Sequence, residues 1–506
     1  MEDIVSRFMK IKKPEQALKL DYRKEQMHDE TISARGTTSS IIEEPRILGR
    51  DEELAKIKQF LLSSDDAEES RGSDDMDDHV SVMGIVGMGG LGKTTLAQLA
   101  YNDARVNKHF QLKSWVCVSE DFDVVWLTKA MLQSLNVEDS GLSELDPLQR
   151  KLLQKLKGQG RLLLVLDDVW EADNLNIHSW NVLIAPLRNR SADTKIIMTT
   201  RSRKVSEMVS RNSTYDLAFL SDEDTLNLFM LHAFEGRDPN LYQNLVAIGK
   251  EIARKCGGVP LAAKTLGGLL RTKDAEEWNK ILESEVWNAT INQEGSIIPI
   301  LRLSYLHLSA PLKRCFRYCS LFAKDYVFDR NRIIHMWMAH GYIKANRREL
   351  MEDIGQRYID NLLSRSFFQK YPRNPKRLQM HDLMHDLARC ASGHECYSME
   401  GGNSCLIPSH VRHLSTFPTS DSRGTIISEP KSLRSFLSPY EKFVGKVFVH
   451  ETLSNSYPRM EHLRVLDLGG VWLYRLPESI ARLKHLHYLR ISSIIKKLPE
   501  CVGSMI

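Results

Sequence analysis

"GIVGMGGLGKTTLAQLAY", residues 84–101, runs from an apolar strand through a glycine-rich turn into a helix carrying Lys and two Thr. Within it, Gly87-Met88-Gly89-Gly90-Leu91-Gly92-Lys93-Thr94 fits the pattern G-x-x-x-x-G-K-[ST] without a mismatch. Glycines let backbone N–H groups turn inward around phosphates, and the helix that follows adds the positive end of its dipole. Lys93 then places a charge on the β- and γ-phosphates, and the Thr94 hydroxyl is a ligand for Mg²⁺. A glycine-rich turn that merely packs is the competing reading; the strand before it and the helix after it argue for phosphate.

Outward from this turn, residues 80–211 alternate apolar strands ("VSVMGIVG", "KSWVCVS", "RLLLVLDDVW", "KIIMTT") with amphipathic helices. Such alternation predicts a parallel sheet covered by helices on both faces. Asp167 and Asp168 stand where the buried strand "LLLVL" emerges from the sheet. One of these carboxylates can hold Mg²⁺ through water and the other can orient or deprotonate an attacking water. An Asp pair at a strand end says little by itself; about seventy residues after Lys93 it becomes specific. "KIIMTTR" ends a further strand on Arg201, a candidate γ-phosphate sensor within that set.

The 506 residues allow roughly three or four domains in all. Hydrophobic residues make up 42% and charged residues 26%, the balance of a soluble globular protein. A net charge of +4 gives no basic face that would point to a specific nucleic-acid partner. Eight irregularly spaced Cys do not form a disulfide framework, so a reducing compartment is expected. The first residues hold no uninterrupted apolar stretch of signal-peptide length, no run approaches the ~18 apolar residues of a membrane span, and a cytoplasmic location is predicted. Residues 1–44 are a charged segment ending in a Ser/Thr/Gly-rich linker, and "SSDDAEESRGSDDMDDH" (63–79) reads as an acidic solvated loop. Residues 217–290 show helical periodicity only, and 295–390 are mostly helical with an aromatic-rich stretch. Cys315, Cys319, Met336 and Trp337 read as core. Cys390, His394 and Cys396 lack the complementary pair that a zinc site needs.

The C-terminal part repeats. Leu463, Leu466 and Leu468 recur as Leu486, Leu489 and Ile491, an offset of 23, and Leu476-Pro477-Glu478 recurs as Leu498-Pro499-Glu500, an offset of 22. A period in that range with an L-x-x-L-x-L core is the leucine-rich-repeat pattern, one strand per repeat. "SLRSFLSP" near Leu433 is an earlier, irregular copy.

The order "GMGGLGKTT", "LLVLDDVW", "KIIMTTR", "CGGVPLAAKTLGGLL", "CFRYCSLF" and "MHDLMHDLA", followed by leucine-rich repeats, resembles the NB-ARC core of plant intracellular immune receptors. Trp170, which closes "LDDVW", resembles the non-TIR, coiled-coil branch. The resemblance covers about residues 45–505 and implies a multidomain α/β plus α chain. In it a P-loop nucleotide-binding domain (45–215) is followed by a helical subdomain (216–292), a winged-helix subdomain (293–395), and a linker with incomplete repeats (396–506). It implies an ADP/ATP switch of plant defence, at most a slow ATPase, resting with ADP buried between three subdomains. It further implies that Gly87, Gly89, Gly90, Leu91, Gly92, Lys93, Thr94 and Thr95 form the phosphate loop. Asp167 becomes the Mg²⁺ ligand with Thr94, Asp168 the hydrolytic base, and Arg201 the sensor. Pro260 would pack near the adenine, with Ile47 and Leu48 of "RILGR" lining its pocket, and His381 of the first Met-His-Asp would reach the ADP β-phosphate. His385, in the second Met-His-Asp, reads as helix surface or packing.

Partners implied by the resemblance are a pathogen effector or a guarded host protein, with self-association on activation. About forty-five residues precede "LGRDEE", where the family carries a much longer coiled-coil domain, so the chain reads as a truncated member or a fragment. Two other classes compete. A turnover ATPase explains the phosphate loop and the Asp pair but leaves His381 and the repeats unexplained. A repeat-based binding scaffold explains the C-terminus and leaves the nucleotide site vestigial.

Overall fold

A computed structural model describes residues 38–42, 46–63, 80–119, 122–137, 141–170, 175–188, 192–210, 213–284, 287, 298–345, 349–371, 374–400, 407–417, 432–438, 460–469, 476–491 and 499. The N-terminal charged segment up to residue 37 and most of the acidic run at 63–79 lie outside them.

Strands β1 (Val80–Val86), β2 (Leu112–Ser119), β3 (Leu162–Val169), β4 (Thr194–Thr200) and β5 (Thr214–Asp216) form one parallel sheet in the order β2-β3-β4-β1-β5. The run Leu162–Leu166 of the central strand β3 is apolar without interruption because both faces are covered. Along β3 the side chains alternate: Leu162, Leu164 and Leu166 pack with Leu127, Leu148 and Trp180 on one face. Leu163 and Val165 pack with Ile57, Leu96 and Ala100 on the other. The β3–β4 register shifts between Leu166 and Val169, so the pair Asp167-Asp168 lies in a bulge, with Asp168 at φ +55. Bulges re-aim side chains at strand ends next to sites.

A helical layer follows, with helices Asp222–Ala233, Gln243–Lys255, Pro260–Leu270 and Ala275–Leu282. The Ser221 hydroxyl caps the first by accepting from Asp224 N–H at 3.0 Å, and Pro260 opens the third in the position where a missing N–H costs nothing. Gly267 and Gly268 let that third helix wedge between neighbours. A Cβ at Gly267 would lie 2.8 Å from Phe229 O, and one at Gly268 2.4 Å from Ser364 O.

Helices Ile298–Leu306, Ala310–Tyr318, Arg330–Ala339, Met351–Ser364 and Asp382–Ser392 surround a small antiparallel sheet of β6 (Val327–Asp329), β7 (Gln369–Tyr371) and β8 (Asn374–Gln379), in the order β6-β8-β7. One continuous core joins this region to the helical layer through Phe229, Leu266, Leu269, Phe316, Phe322 and Trp337. Cys315, Cys319, Met336 and Trp337 are all buried in it. His385 is packing: its Nε2 lies 2.7 Å from Phe322 O.

Strands β9 (Cys396–Glu400), β10 (His413–Phe417), β11 (Ser435–Leu437), β12 (Val465–Leu468) and β13 (Tyr488–Ile491) make a second parallel sheet, each pairing with the next in the chain. Leu466 pairs with Leu489 and Leu468 with Ile491, the same 23-residue offset seen in the sequence. A row of Tyr397, Leu414, Phe436, Leu466 and Leu489 crosses all five strands. The sequence reading finds β12, β13 and the region of β11; β9 and β10 carry no leucine repeat and are new. Among the described residues no helix is long and apolar enough to cross a membrane, and no His/Cys/Asp/Glu group could hold a metal ion as a cluster.

Candidate functional site

The turn after β1 delivers the phosphate loop to the carboxyl edge of the first sheet, and β3 and β4 deliver the acidic pair and Arg201 to the same edge. Ligands of open α/β sheets bind there. Gly90 (φ +81) and Gly92 (φ +93) take left-handed backbone that favours glycine, and Gly92 caps the helix Lys93–Asn102. Lys93 is 7% exposed, and its Nζ donates to Gly87 O at 2.7 Å and Met88 O at 3.0 Å. Burial pushes the Lys93 ammonium down to about 8; Arg201 adds to this, while Asp168 and Asp167 oppose it.

Asp167 is fully buried. Its Oδ1 accepts from Thr94 Oγ1 at 3.0 Å and from Thr199 Oγ1 at 2.5 Å, while Oδ2 closes no hydrogen bond. Burial raises its pKa, and the hydroxyls of Thr199, Thr38 and Thr94 pull the other way. A buried carboxylate oxygen without a partner, beside a threonine hydroxyl, is a hard-oxygen donor set that suits Mg²⁺. Thr94 and Asp167 are the residues that would hold the ion, which would neutralise phosphate charge when bound. Asp168 N–H donates to Thr199 Oγ1 at 2.8 Å, and Asp168 Oδ2 accepts from Trp170 Nε1 at 2.8 Å.

Arg201 sits just past β4 and pairs with Asp382 at the start of the helix Asp382–Ser392. His381 caps that helix, its Nδ1 accepting from Leu383 N–H at 3.2 Å, and it also lies against Asp382 Oδ1. Burial pushes His381 down to about 3, with Arg201, Lys93 and Lys264 adding positive charge, so the imidazole is neutral at neutral pH. A Cβ at Gly89 would lie 2.9 Å from Leu383 Cδ1 and 3.2 Å from Arg201 Cζ. A side chain at this position would push aside the ends of Leu383 and Arg201, where the phosphate loop meets this last helix. Leu261 N–H, from the helix that Pro260 opens, donates to Gly90 O at 3.3 Å.

These elements enclose a cavity of ≈ 720 Å³. Of the residues singled out in the sequence, Ile47, Leu48, Gly89, Gly90, Leu91, Gly92, Lys93, Thr94, Thr95, Asp168, Arg201, Pro260 and His381 line it. Gly87 and Asp167 do not: Gly87 turns its carbonyl to Lys93, and Asp167 lies beneath the surface. The sequence reading misses Arg50, whose buried guanidinium donates to Leu91 O and Ala218 O, both at 2.9 Å, and pairs with Glu53 at 2.7 Å. It bolts the phosphate loop to the segment after β5. Also missed are Lys264, one turn beyond Pro260, Asp382, and Asp325, which burial and the charges of Asp168 and Asp167 push up to about 7. "RILGR" and Met-His-Asp contain Arg50 and Asp382, so a signal existed for both; nothing in the sequence sets Asp325 apart.

Comparison with known proteins finds two domain families along the chain. Residues 51–239 match the NB-ARC domain, and residues 321–388 match the disease resistance protein winged helix domain. Disease resistance protein RGA2 of Solanum bulbocastanum is 39% identical over 467 residues, 91% of this chain and 44% of that protein. Disease resistance protein RPP13 of Arabidopsis thaliana is 31% identical over 433 residues, 81% of this chain and 49% of that protein. The chain thus spans less than half the length of these relatives.

Proposed function

We propose, for a chain that carries the NB-ARC and winged-helix domains of plant disease resistance proteins, that it is an ADP/ATP switch of plant immunity. ADP holds the resting arrangement, ATP replaces it on activation, and hydrolysis is slow. The observation that carries this reading is the single cavity lined at once by the phosphate loop, by Pro260 of the helical layer and by His381 and Asp382 of the winged helix. A ligand touched by three parts clamps them, and exchanging it shifts their arrangement to the extent that the two nucleotides bind the two arrangements differently. In this reading Lys93 and the loop amides bind the phosphates, Thr94 and Asp167 take Mg²⁺, Asp168 positions the attacking water, Arg201 senses the γ-phosphate, and Ile47, Leu48 and Pro260 seat the base. The second parallel sheet is the start of a leucine-rich-repeat solenoid that faces an effector or a guarded host protein.

The test is the nucleotide content of the purified protein together with its turnover. Stoichiometric ADP that survives gel filtration, with hydrolysis far below one turnover per second, is the expected result. Rapid multiple turnover would replace the switch with a working ATPase. An empty site that takes up neither nucleotide would leave a binding scaffold.

A further inference from the structure

Asp168 lines the cavity from the bulge of β3, and its backbone is pinned by Thr199. Its carboxylate has one hydrogen bond among the described residues, from Trp170 Nε1 to Oδ2 at 2.8 Å. Oδ1 is left to meet a water. Trp170 follows the end of β3, outside the strand ladder. What seats its ring is a pair of cations: Arg201 Cζ lies 4.5 Å, and Lys324 Nζ 4.6 Å, from the ring centroid. Such contacts draw a cation to the negative face of the indole. Lys324 belongs to the winged-helix region, where it also pairs with Asp386 at 3.1 Å. Arg201 belongs to the nucleotide-binding domain but is held by Asp382 of the winged helix. Both cations at this indole therefore depend on the docked winged helix.

We propose that Trp170 is a positioning residue for ATP hydrolysis, an inference resting on the nucleotide reading above: its indole N–H fixes the Asp168 carboxylate, and Arg201 and Lys324 fix the indole only while the winged helix is docked. In the step concerned, the water oxygen bonds to the γ-phosphorus as the bond from that phosphorus to the β–γ bridging oxygen breaks. The bond's electron pair leaves with ADP, and the water's proton passes to Asp168 Oδ1 and then to solvent. A chain whose winged helix has swung away loses the grip on the indole, hence on Asp168. It keeps its ATP uncleaved, and cleavage becomes a property of the closed arrangement.

Trp170→Phe tests this because it keeps a ring for the two cations and removes the N–H. The variant is expected to bind ADP within twofold of the parent by calorimetry and to cleave ATP at least tenfold more slowly in a single turnover. In an Asp168→Ala background Trp170→Phe is expected to slow cleavage no further, since Trp170 acts only through Asp168. A readout independent of cleavage comes from fluorine NMR of protein labelled with 5-fluorotryptophan, the Trp170 signal being the one lost in Trp170→Phe. Lys324→Met should shift that signal in nucleotide-free protein and slow cleavage with ADP affinity kept, and it carries the test if Trp170→Phe fails to fold. Cleavage at the parent rate in either variant, equal losses of ADP affinity and cleavage, or an unmoved fluorine signal would each overturn the inference. A parent chain that binds ADP but never cleaves ATP overturns it and leaves the switch reading standing; a parent that binds no nucleotide overturns both.

Discussion

Lys93 shows how much a contiguous motif discloses and where it stops. Its place in the loop follows from eight adjacent residues, because phosphate binding needs glycine torsions, a helix start and a cation at fixed spacing. Its proton affinity does not follow, because that is set by burial and by Arg201, more than a hundred residues later. The pKa of about 8 gives a testable sign. In the free protein Lys93 loses its proton as pH rises through about 8, whereas a bound phosphate favours the charged form. ADP affinity should therefore fall above about pH 8, by up to about tenfold per unit, with proton uptake on binding. Calorimetry at pH 7.5 and 9 without divalent cations, in two buffers of different ionisation enthalpy, measures both. Lys93→Arg should lose most ADP binding, since a planar fork does not fit where a compact ammonium donates to Gly87 and Met88 carbonyls. Equal affinity at both pH values would remove Lys93 from the phosphates.

At the scale of elements, the second sheet is seated on the winged helix by a buried polar cluster that no repeat pattern announces. Ser435 Oγ lies 2.7 Å from His340 Nε2, 3.0 Å from His413 Nδ1 and 3.1 Å from Tyr318 OH. Strands β12 and β13 are legible because leucines recur in register. Strand β10 is not, since His413 and Ser415 occupy buried positions and read as surface. Burial pushes His413 down to about 3 and His340 to about 2, with neighbouring arginines adding to both. The unfolded chain takes up protons below about pH 6.5 that these rings refuse in the folded state, so their contribution is present above 6.5 and is lost as pH falls toward 3. Asp325, held up to about 7, acts in the opposite direction, so the comparison must be with a variant. His413→Asn is expected to show a shallower loss of stability between pH 6.5 and 4 than the parent. Ser435→Ala should cost about 1–3 kcal/mol at pH 7.5 by strand-ring partners left unsatisfied, read by urea unfolding. Identical acid slopes in His413→Asn and parent would show that the ring is not held neutral.

Across the whole molecule, the helical layer and the winged helix share one core, against which the partly buried Leu48 and Met88 of the nucleotide-binding domain pack, whereas the other contacts across the cavity are of a different kind. They include the Arg201–Asp382 pair, Lys324 at Trp170, Leu383 against Gly89, and Leu261 N–H to Gly90 O. Most of these are polar or single-residue contacts, which leaves the ligand a decisive share in holding the arrangement closed. The participants are separated by up to about three hundred residues, and no local pattern could pair Arg201 with Asp382. The motif order could place them in one site only by likeness to other chains. His381 is the point at which this closure can be tested. Its ring is neutral at pH 7, so its proposed bond to the ADP β-phosphate is that of a neutral donor to a charged acceptor, about 1.5–3 kcal/mol. His381→Ala should then weaken ADP by about ten- to a hundredfold, mostly through faster release. The freed fraction should open, because no ligand then bridges the phosphate loop and the winged helix. Stopped-flow release of a fluorescent ADP, with small-angle scattering on the same samples, reads both quantities. Faster release with a larger radius of gyration is the expected pair. Faster release with an unchanged radius would mean that the protein contacts alone keep the cavity closed, and unchanged release would take His381 away from the phosphate.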